Sequence, residues 1–516
     1  MPEYLSPGVY VEEIDRGARP IEGVGTATAA FVGFAPAGPP NRPILITNWS
    51  QYVETFGSLE EGGRRNPFLP GAYLSHAVYG YFLNGGGRCY VTRVVASDGK
   101  EEAPAVAQLP SRSSRAIPSL TISPKGAPAQ DIQVEVIPPV GEESGDGLFT
   151  LRIQMGEAQE TYENVSLGKR NVKNVVEAVN QASILVTVLE ASTTGSISER
   201  VPETGMYIIK AAQKALATQI QPGHFKGDVS TRSGLEGLEI AEDVTMVCCP
   251  DLMAAYQSGA LDRDGVKAVQ LAMIAHCERM GDRIAILDPL PDLAPQDAQR
   301  WRERETNYDS KYAALYYPWI KVDGPDGRPM PVPPCGHVAG IYARSDTERG
   351  VHKAPANEVV RGALETVSQV TKGEQDMLNP IGINCIRSFT GRGLRVWGAR
   401  TLSSDPAWRY VNVRRLFNFI EKSIEGGTQW VVFEPNDADL WARVTRDITA
   451  YLTGVWRDGM LFGSSPAQAF YVKCDAELNP PDVRDRGQLI IEIGLAPVKP
   501  AEFVVFRLSQ WSGGGA

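Results

Sequence analysis

Val244-Thr245-Met246-Val247-Cys248-Cys249 carries no charge and is bounded by Asp243 and Pro250. An uncharged, β-branched run of that length suits a strand covered on both faces. The residues that follow change period. Val266, Val269, Met273, Ile274, Cys277 and Met280 recur at helical spacing, so a helix with one apolar face comes next. Arg283-Ile284-Ala285-Ile286-Leu287-Asp288 then reads as another strand, a polar helix covers 295–307, and Ala314 to Ile320 returns to strand. Strand, helix, strand in this order predicts a layered α/β unit with a largely parallel sheet.

Working outward, residues 9–14, 29–34, 44–47 and 89–95 read as strands, rich in β-branched and aromatic residues. A helix is expected over 67–83, with Asn66 as N-cap and Pro67 in its first turn. Residues 98–115 have a linker's composition. Beyond them short strands at 120–123, 131–137, 148–155 and 184–189, with a helix near 172–182, suggest a small β-rich unit. A Gly/Ser/Thr-rich stretch from 191 to 234 closes it. Downstream, Val413, Leu416, Phe417, Ile420 and Ile424 make one helical stripe, and Leu440, Val444, Ile448, Leu452 and Val455 make another, capped at Asn436 or Asp437. Strands are expected at 430–434, 469–474, 488–495 and 502–508. The fold class is therefore α/β and α+β multidomain, a layered α/β core with a small β-rich insertion.

Composition narrows the function. The chain has 51 Lys and Arg against 61 Asp and Glu, a net charge of −10 over 516 residues. It has no basic tract of the kind that phosphate-backbone binding requires, so nucleic acid is not an expected partner. No apolar run reaches the ~18 residues of a membrane span, and the N-terminus lacks the pattern of a signal peptide. The seven cysteines contain no CxxC pair, which fits free thiols in a reducing cytoplasm.

Chemical motifs are absent. Gly99-Lys100-Glu101 and Gly168-Lys169-Arg170 lack the hydroxyl residue of a phosphate loop. Gly85-Gly86-Gly87 precedes a strand, the reverse of the dinucleotide-binding order, and reads as a turn. Cys335-Gly336-His337 offers two metal ligands where a closed zinc site needs four. No catalytic, cofactor-binding or metal-binding residue is assigned, and the chain is not expected to be an enzyme.

The ends stand out instead. Val9 to Ile14 is set off by Arg16-Gly17-Ala18-Arg19-Pro20, and Phe503-Val504-Val505-Phe506 follows the proline-bearing connector 496–501. Such short apolar terminal strands either pair inside the monomer or add to the sheet of another subunit. The residues assigned to exchange are Val9, Tyr10, Val11, Glu12, Ile14, Phe503, Val504, Val505 and Phe506.

Several stretches resemble the contractile tail sheath family. They are Tyr4-Leu5-Ser6-Pro7-Gly8-Val9-Tyr10-Val11-Glu12-Glu13, Thr28 to Gly33, Pro334 to Arg344, Gly350 to Asn357, Gly382-Ile383-Asn384, Trp397 to Leu402, Tyr410 to Arg415, Phe433-Glu434-Pro435-Asn436 and Ile493 to Phe503. The likeness covers 1–97 and 235–511, leaving 98–234 as a variable insertion. It implies a subunit that stacks in six-fold rings around an inner tube, in phage tails, R-type bacteriocins and related injection systems. Such a sheath is assembled extended and shortens when a baseplate triggers it. The implied partners are further copies of the chain, the inner tube protein, and baseplate and terminal cap proteins. The implied place is a tail or injection particle made in the bacterial cytoplasm.

The resemblance also implies nesting. An N-terminal arm (1–24) would join the tube-facing domain (346–487) and the C-terminal strands (488–516). A middle domain would combine 25–97 with 235–345, and the β-rich insertion (98–234) would project outward. The helix over 436–457, with Arg443, Arg446 and Arg457, is assigned to the tube; a core helix with a solvated face is the alternative. A nucleotide-dependent α/β enzyme and a non-contractile shell protein are the rival functions.

Overall fold

The structure, a computed structural model of the 516-residue chain, describes residues 21–96, 106–113, 117–140, 147–167, 173–191, 196–211 and 219–507. The chain divides into two compact units, Thr26–Arg414, and Met1–Gly25 with Arg415–Ala516.

The larger unit is organised by a nine-stranded sheet. Its strands are β1 (Ala29–Gly33), β2 (Pro43–Ile46), β3 (Cys89–Arg93), β4 (Met246–Cys248), β5 (Ile284–Leu287), β6 (Ala313–Tyr317), β7 (Glu358–Val359), β8 (Ile383–Phe389) and β9 (Gly393–Val396). Their spatial order is β7-β9-β8-β6-β5-β4-β1-β3-β2. The run from β8 to β3 is parallel throughout. Antiparallel strands close both edges. The parallel α/β core foreseen from residues 244–320 is therefore present. β1, β4, β5 and β6 are buried at every position, which explains why they read as unbroken apolar runs rather than alternating ones.

The boundary expected at 345 is not where this sheet ends. Helix α3 (Cys335–Arg349) runs across it, and β7, β8 and β9 beyond it belong to the same sheet. The larger unit runs on to Arg414.

Residues 107–209 build a second apolar core from antiparallel sheets. One sheet orders Ala158–Val165, Phe149–Met155, Ile132–Ile137 and Gly205–Ile209; the other orders Val186–Glu190, Pro118–Pro124 and Ala107–Pro110. In Ile132–Ile137 the alternate residues Ile132, Val134 and Val136 are buried, the period-2 pattern of a sheet with one face on a core. The β-rich reading is right in kind, but two strands lie where sequence suggested loop. Ala107–Pro110 falls in the expected linker and Gly205–Ile209 in the Gly/Ser/Thr-rich stretch. Ala107–Pro110 gains its ladder from the next strand, Pro118–Pro124, and Gly205–Ile209 from the distant Ile132–Ile137, pairings that local composition does not register.

Helix α1 (Leu74–Leu83) starts seven residues later than the expected Pro67. Asn66 caps no helix; its Oδ1 accepts the Phe68 N–H at 3.0 Å, a local turn. Gly71, at φ +79, bends the chain just before the helix. The helix is capped from elsewhere: Asp251 accepts from the N–H groups of Tyr73 and Leu74.

Helix α2 (Arg263–Met280) buries Val266, Val269, Met273, Ile274 and Cys277 and is capped by Asp262, whose Oδ1 accepts the Gly265 N–H at 2.8 Å. In the smaller unit, helix α4 (Ala438–Arg457) buries the stripe read from sequence and is capped by Asp437. Phe470–Lys473 pairs antiparallel with Glu492–Leu495.

Three expected strands are corrected here. Residues 430–434 form a 3-10 turn, Gln429–Val431, followed by irregular chain. Residues 488–491 and the described part of 502–508 have no regular structure. β-branched composition makes a strand only where a ladder partner exists, and among the described residues none pairs with these segments.

Candidate functional site

No three His, Cys, Asp or Glu side chains converge as a metal-binding group among the described residues. All the cysteines are free, and Cys474 is the one not fully buried. Cys335-Gly336-His337 opens helix α3, and a Cβ on Gly336 would overlap the Ala77 backbone of α1. One turn on, a Cβ on Gly340 would lie 2.5 Å from the Tyr81 carbonyl oxygen. The two glycines let α1 and α3 approach backbone to backbone, and burial lowers the His337 pKa to about 4. The motif is packing.

Two buried carboxylates mark the C-terminal ends of the parallel strands. Asp251, just beyond β4, accepts the Phe34 N–H at 2.5 Å and the Leu74 N–H at 3.2 Å on Oδ2, and the Tyr73 N–H on Oδ1. Asp288, just beyond β5, accepts the Cys335 N–H at 3.0 Å. Burial pushes both carboxyls up to about 7, against the backbone donors that hold them down. Both oxygens of Asp251 are thus occupied by the chain's own backbone.

The smaller unit carries the residues singled out at the chain's C-terminal end. The connector is pinned by backbone hydrogen bonds as far as Val498. Phe462 N–H donates to the Ala496 oxygen at 2.8 Å, Ala496 N–H to Ala469 at 2.9 Å, and Val498 N–H to Met460 at 3.3 Å. Pro497 and Pro500 hold this stretch extended. Past it, Phe503, Val504, Val505 and Phe506 are 72, 70, 76 and 84% exposed. Four consecutive large apolar side chains in water is an arrangement that soluble monomers rarely carry without an interaction to explain it. The other assigned exchange residues, Val9, Tyr10, Val11, Glu12 and Ile14, lie outside the described residues.

The arginines assigned to the tube share one face of α4. Arg443, Arg446 and Arg457 are exposed at helical spacing, opposite the buried stripe. Arg443 lies 3.6 Å from Glu434 and over the Trp430 ring. Arg446 pairs with Asp447 at 3.1 Å. Arg457 has no partner among the described residues.

Sequence reasoning missed the loop that leads into this helix. Phe433 is fully exposed and holds φ +70, a left-handed conformation costly for a bulky residue. Val432 beside it is 65% exposed. The apolar run Trp430-Val431-Val432-Phe433, expected as a strand, was the available signal.

The sequence pattern of the phage tail sheath protein central domain matches residues 235–402, and that of the phage tail sheath C-terminal domain matches residues 403–510. A tail sheath protein of Vibrio phage KVP40 is 32% identical over 34% of this chain and 26% of its own length. A putative prophage major tail sheath protein of Pseudomonas aeruginosa is 29% identical over 48% of this chain and 63% of its own length. These two alignments therefore span about a quarter to under two thirds of the relatives' length. The tail sheath protein of Burkholderia phage BcepMu is 24% identical over 97% of this chain and 95% of its own. Among solved structures, the anti-feeding prophage helical sheath in its contracted state superposes with a TM-score of 0.59 at 25% identity, covering 98% of this chain and 99% of that one. The contracted sheath complex of an extracellular contractile injection system gives 0.58 at 23% identity, covering 99% of each.

Proposed function

The chain belongs to the contractile tail sheath family, and from that premise we propose that it is the subunit of a six-fold helical sheath that surrounds an inner tube and shortens to drive it through a target envelope. The observation that carries this reading is the correspondence with a tail sheath protein along 97% of the chain. The likeness of fold to a contracted helical sheath supports it. Its partners on this reading are further copies of itself, the inner tube protein, the baseplate and a terminal cap, and its place is a phage tail or contractile injection particle.

The exposed segment Phe503–Phe506 and the N-terminal residues Val9 to Ile14 act as arms that add strands to neighbouring subunits. The pair Phe470–Lys473 and Glu492–Leu495 offers two open strand edges, because among the described residues no third strand joins it. Backbone hydrogen bonds would then hold subunits together whatever their side-chain packing does, which suits a lattice whose bodies must rotate. The arginine face of α4 is directed to the inner tube, and the β-rich segment forms a nested, outward-projecting domain.

Electron microscopy of the purified chain tests this. Hollow helical tubes are the expected result. Monodisperse particles that turn over nucleotide would overturn it in favour of an enzyme, and flat sheets in favour of a shell. Deleting residues 1–20 should abolish the tubes; ordered polymers from the truncated chain would sink the arm exchange.

A further inference from the structure

A buried cation in the larger unit forms no ion pair among the described residues. Arg302 stands on a π-helical turn, Trp301–Thr306, which ends at Asn307 in the left-handed conformation. The residue is 8% exposed. Its Nη2 donates to the carbonyl oxygens of Tyr308 at 2.6 Å and Leu402 at 3.5 Å, while its buried Nε has no acceptor. No carboxylate forms an ion pair with it among the described residues. Taking a guanidinium out of water is costly; burial holds this one below its ordinary pKa, and the nearby charges of Asp309 and Glu303 offset that only in part.

The space beside it is the kind of place that would supply the anion. A cavity of about 630 Å³ is lined by Arg302 together with Arg400 and Arg409, within the range of small-molecule sites. Arg400 is also buried, with Nη1 on the Asn379 oxygen at 3.1 Å. Arg409 has no side-chain partner among the described residues. Two acids share the lining. Asp309 is engaged, its oxygens accepting the Ser404 N–H at 2.8 Å and Oγ–H at 2.6 Å. Glu303 is exposed. The cavity wall thus holds one more guanidinium than carboxylates, and one of its buried guanidinium groups, that of Arg302, keeps an unpartnered Nε.

We propose that this cavity binds a small oxyanion of the phosphate class, held by the arginine cluster Arg302, Arg400 and Arg409. Guanidinium forks match the paired oxygens of phosphate and sulfate, which makes arginine the usual residue for such ligands. The π-turn is what makes the arrangement possible. Such turns often occur at functional positions, and this one sets Arg302 under the 400–409 segment.

Inorganic phosphate titrated calorimetrically into the full 516-residue chain, against sodium chloride of equal ionic strength, tests the proposal. One phosphate should bind per chain, saturably. Arg409→Gln removes a side chain with no partner to lose, so it should fold as the parent does and weaken binding by about tenfold or more. Arg302→Met should also abolish the response. Melting in about 10 mM phosphate adds a second readout, because exclusion of phosphate from protein surfaces stabilises both forms alike, whereas site binding raises only the parent's Tm further. Absence of saturable heat would overturn the proposal, as would equal affinity in Arg409→Gln and the parent.

Discussion

Replacing Phe506 by alanine should leave the isolated subunit as stable as before and cripple its assembly. The ring is 84% exposed, so little apolar contact is lost within the chain, and surface changes of this kind alter stability by roughly 0.5 kcal/mol or less. If the arm lies down on a neighbour, the same ring leaves water. Burying a phenylalanine side chain contributes about 1.5–3 kcal/mol. On the proposed reading each subunit donates one such arm, so the loss would fall on every subunit added. At ~1.4 kcal/mol per tenfold, the critical concentration for polymerisation should rise about 10- to 100-fold. Val504→Ala should act in the same direction. The two need not add, because the residues share one contact surface. The assay is ultracentrifugal pelleting over a concentration series, with electron microscopy of the pellets and melting curves of the supernatant. Met206→Ala is the control: Met206 is 60% exposed on the β-rich segment, so its loss should change neither quantity. A Phe506→Ala chain that pellets at the parent's critical concentration with the parent's Tm would refute the reasoning, since the arm would then contribute nothing to the lattice.

Gly336→Val should destabilise the larger unit by about 3 kcal/mol or more, because a Cβ there overlaps the Ala77 backbone and neither helix can withdraw without opening the core; the measurement is Tm, and a Tm within a degree or so of the parent would contradict the packing. Asp251→Ala should cost a similar ~3 kcal/mol, since it strands the N–H groups of Phe34, Tyr73 and Leu74 in the interior, again read by melting. His276 is buried between Arg279 and Arg283, each nitrogen 3.3 Å from a guanidinium, and burial chiefly, then those two charges, lowers its pKa from 6.5 to about 4. The unfolded chain therefore takes up that proton first, and the stability this neutral ring contributes is lost as pH falls from about 6.5 toward 4. The acid-side fall in Tm should be shallower in His276→Gln than in the parent, and parallel curves would argue against it.

Much of the core was legible in the sequence because its signals are local. The run at 244–249 and the stripe from Val266 to Met280 each fix their own element. What escaped depends on partners far away along the chain. The start of α1 is set by Asp251, some 177 residues on, so Asn66 and Pro67 made a plausible but wrong cap. Gly205–Ile209 is a strand because Ile132–Ile137, far earlier in the chain, pairs with it. Trp430 to Phe433 failed the other way: its β-branched and aromatic residues fit a strand, yet Gln429–Val431 forms a 3-10 turn and Val432 and Phe433 face solvent. For the candidate surfaces, spacing alone put Arg443, Arg446 and Arg457 on one helix face. The apolar character of 503–506 was visible, whereas its exposure was not.

The sheet has the architecture of many nucleotide-binding enzymes, and the buried acids bear on why its chemistry motifs are missing. Taken in chain order, the parallel strands β1, β3, β4, β5, β6 and β8 are arranged with β1 between β3 and β4. The order therefore reverses at the β1/β4 neighbours, and in open parallel sheets that reversal leaves a crevice at the strands' C-terminal ends where ligands bind. Here the crevice position is occupied by the chain itself. Asp251 follows β4 and grips the N–H of Phe34, the residue after β1, along with the first N–H groups of α1. A Cβ on Gly33 would strike the same carboxylate at 2.5 Å, so that glycine is part of the closure. Asp288 repeats the device one strand along, accepting from the start of α3. A helix N-terminus that would otherwise present N–H groups to a phosphate is in both places satisfied by an internal carboxylate. The same geometry that elsewhere opens a pocket here ties β4 to β1 and α1 through Asp251, and β5 to α3 through Asp288.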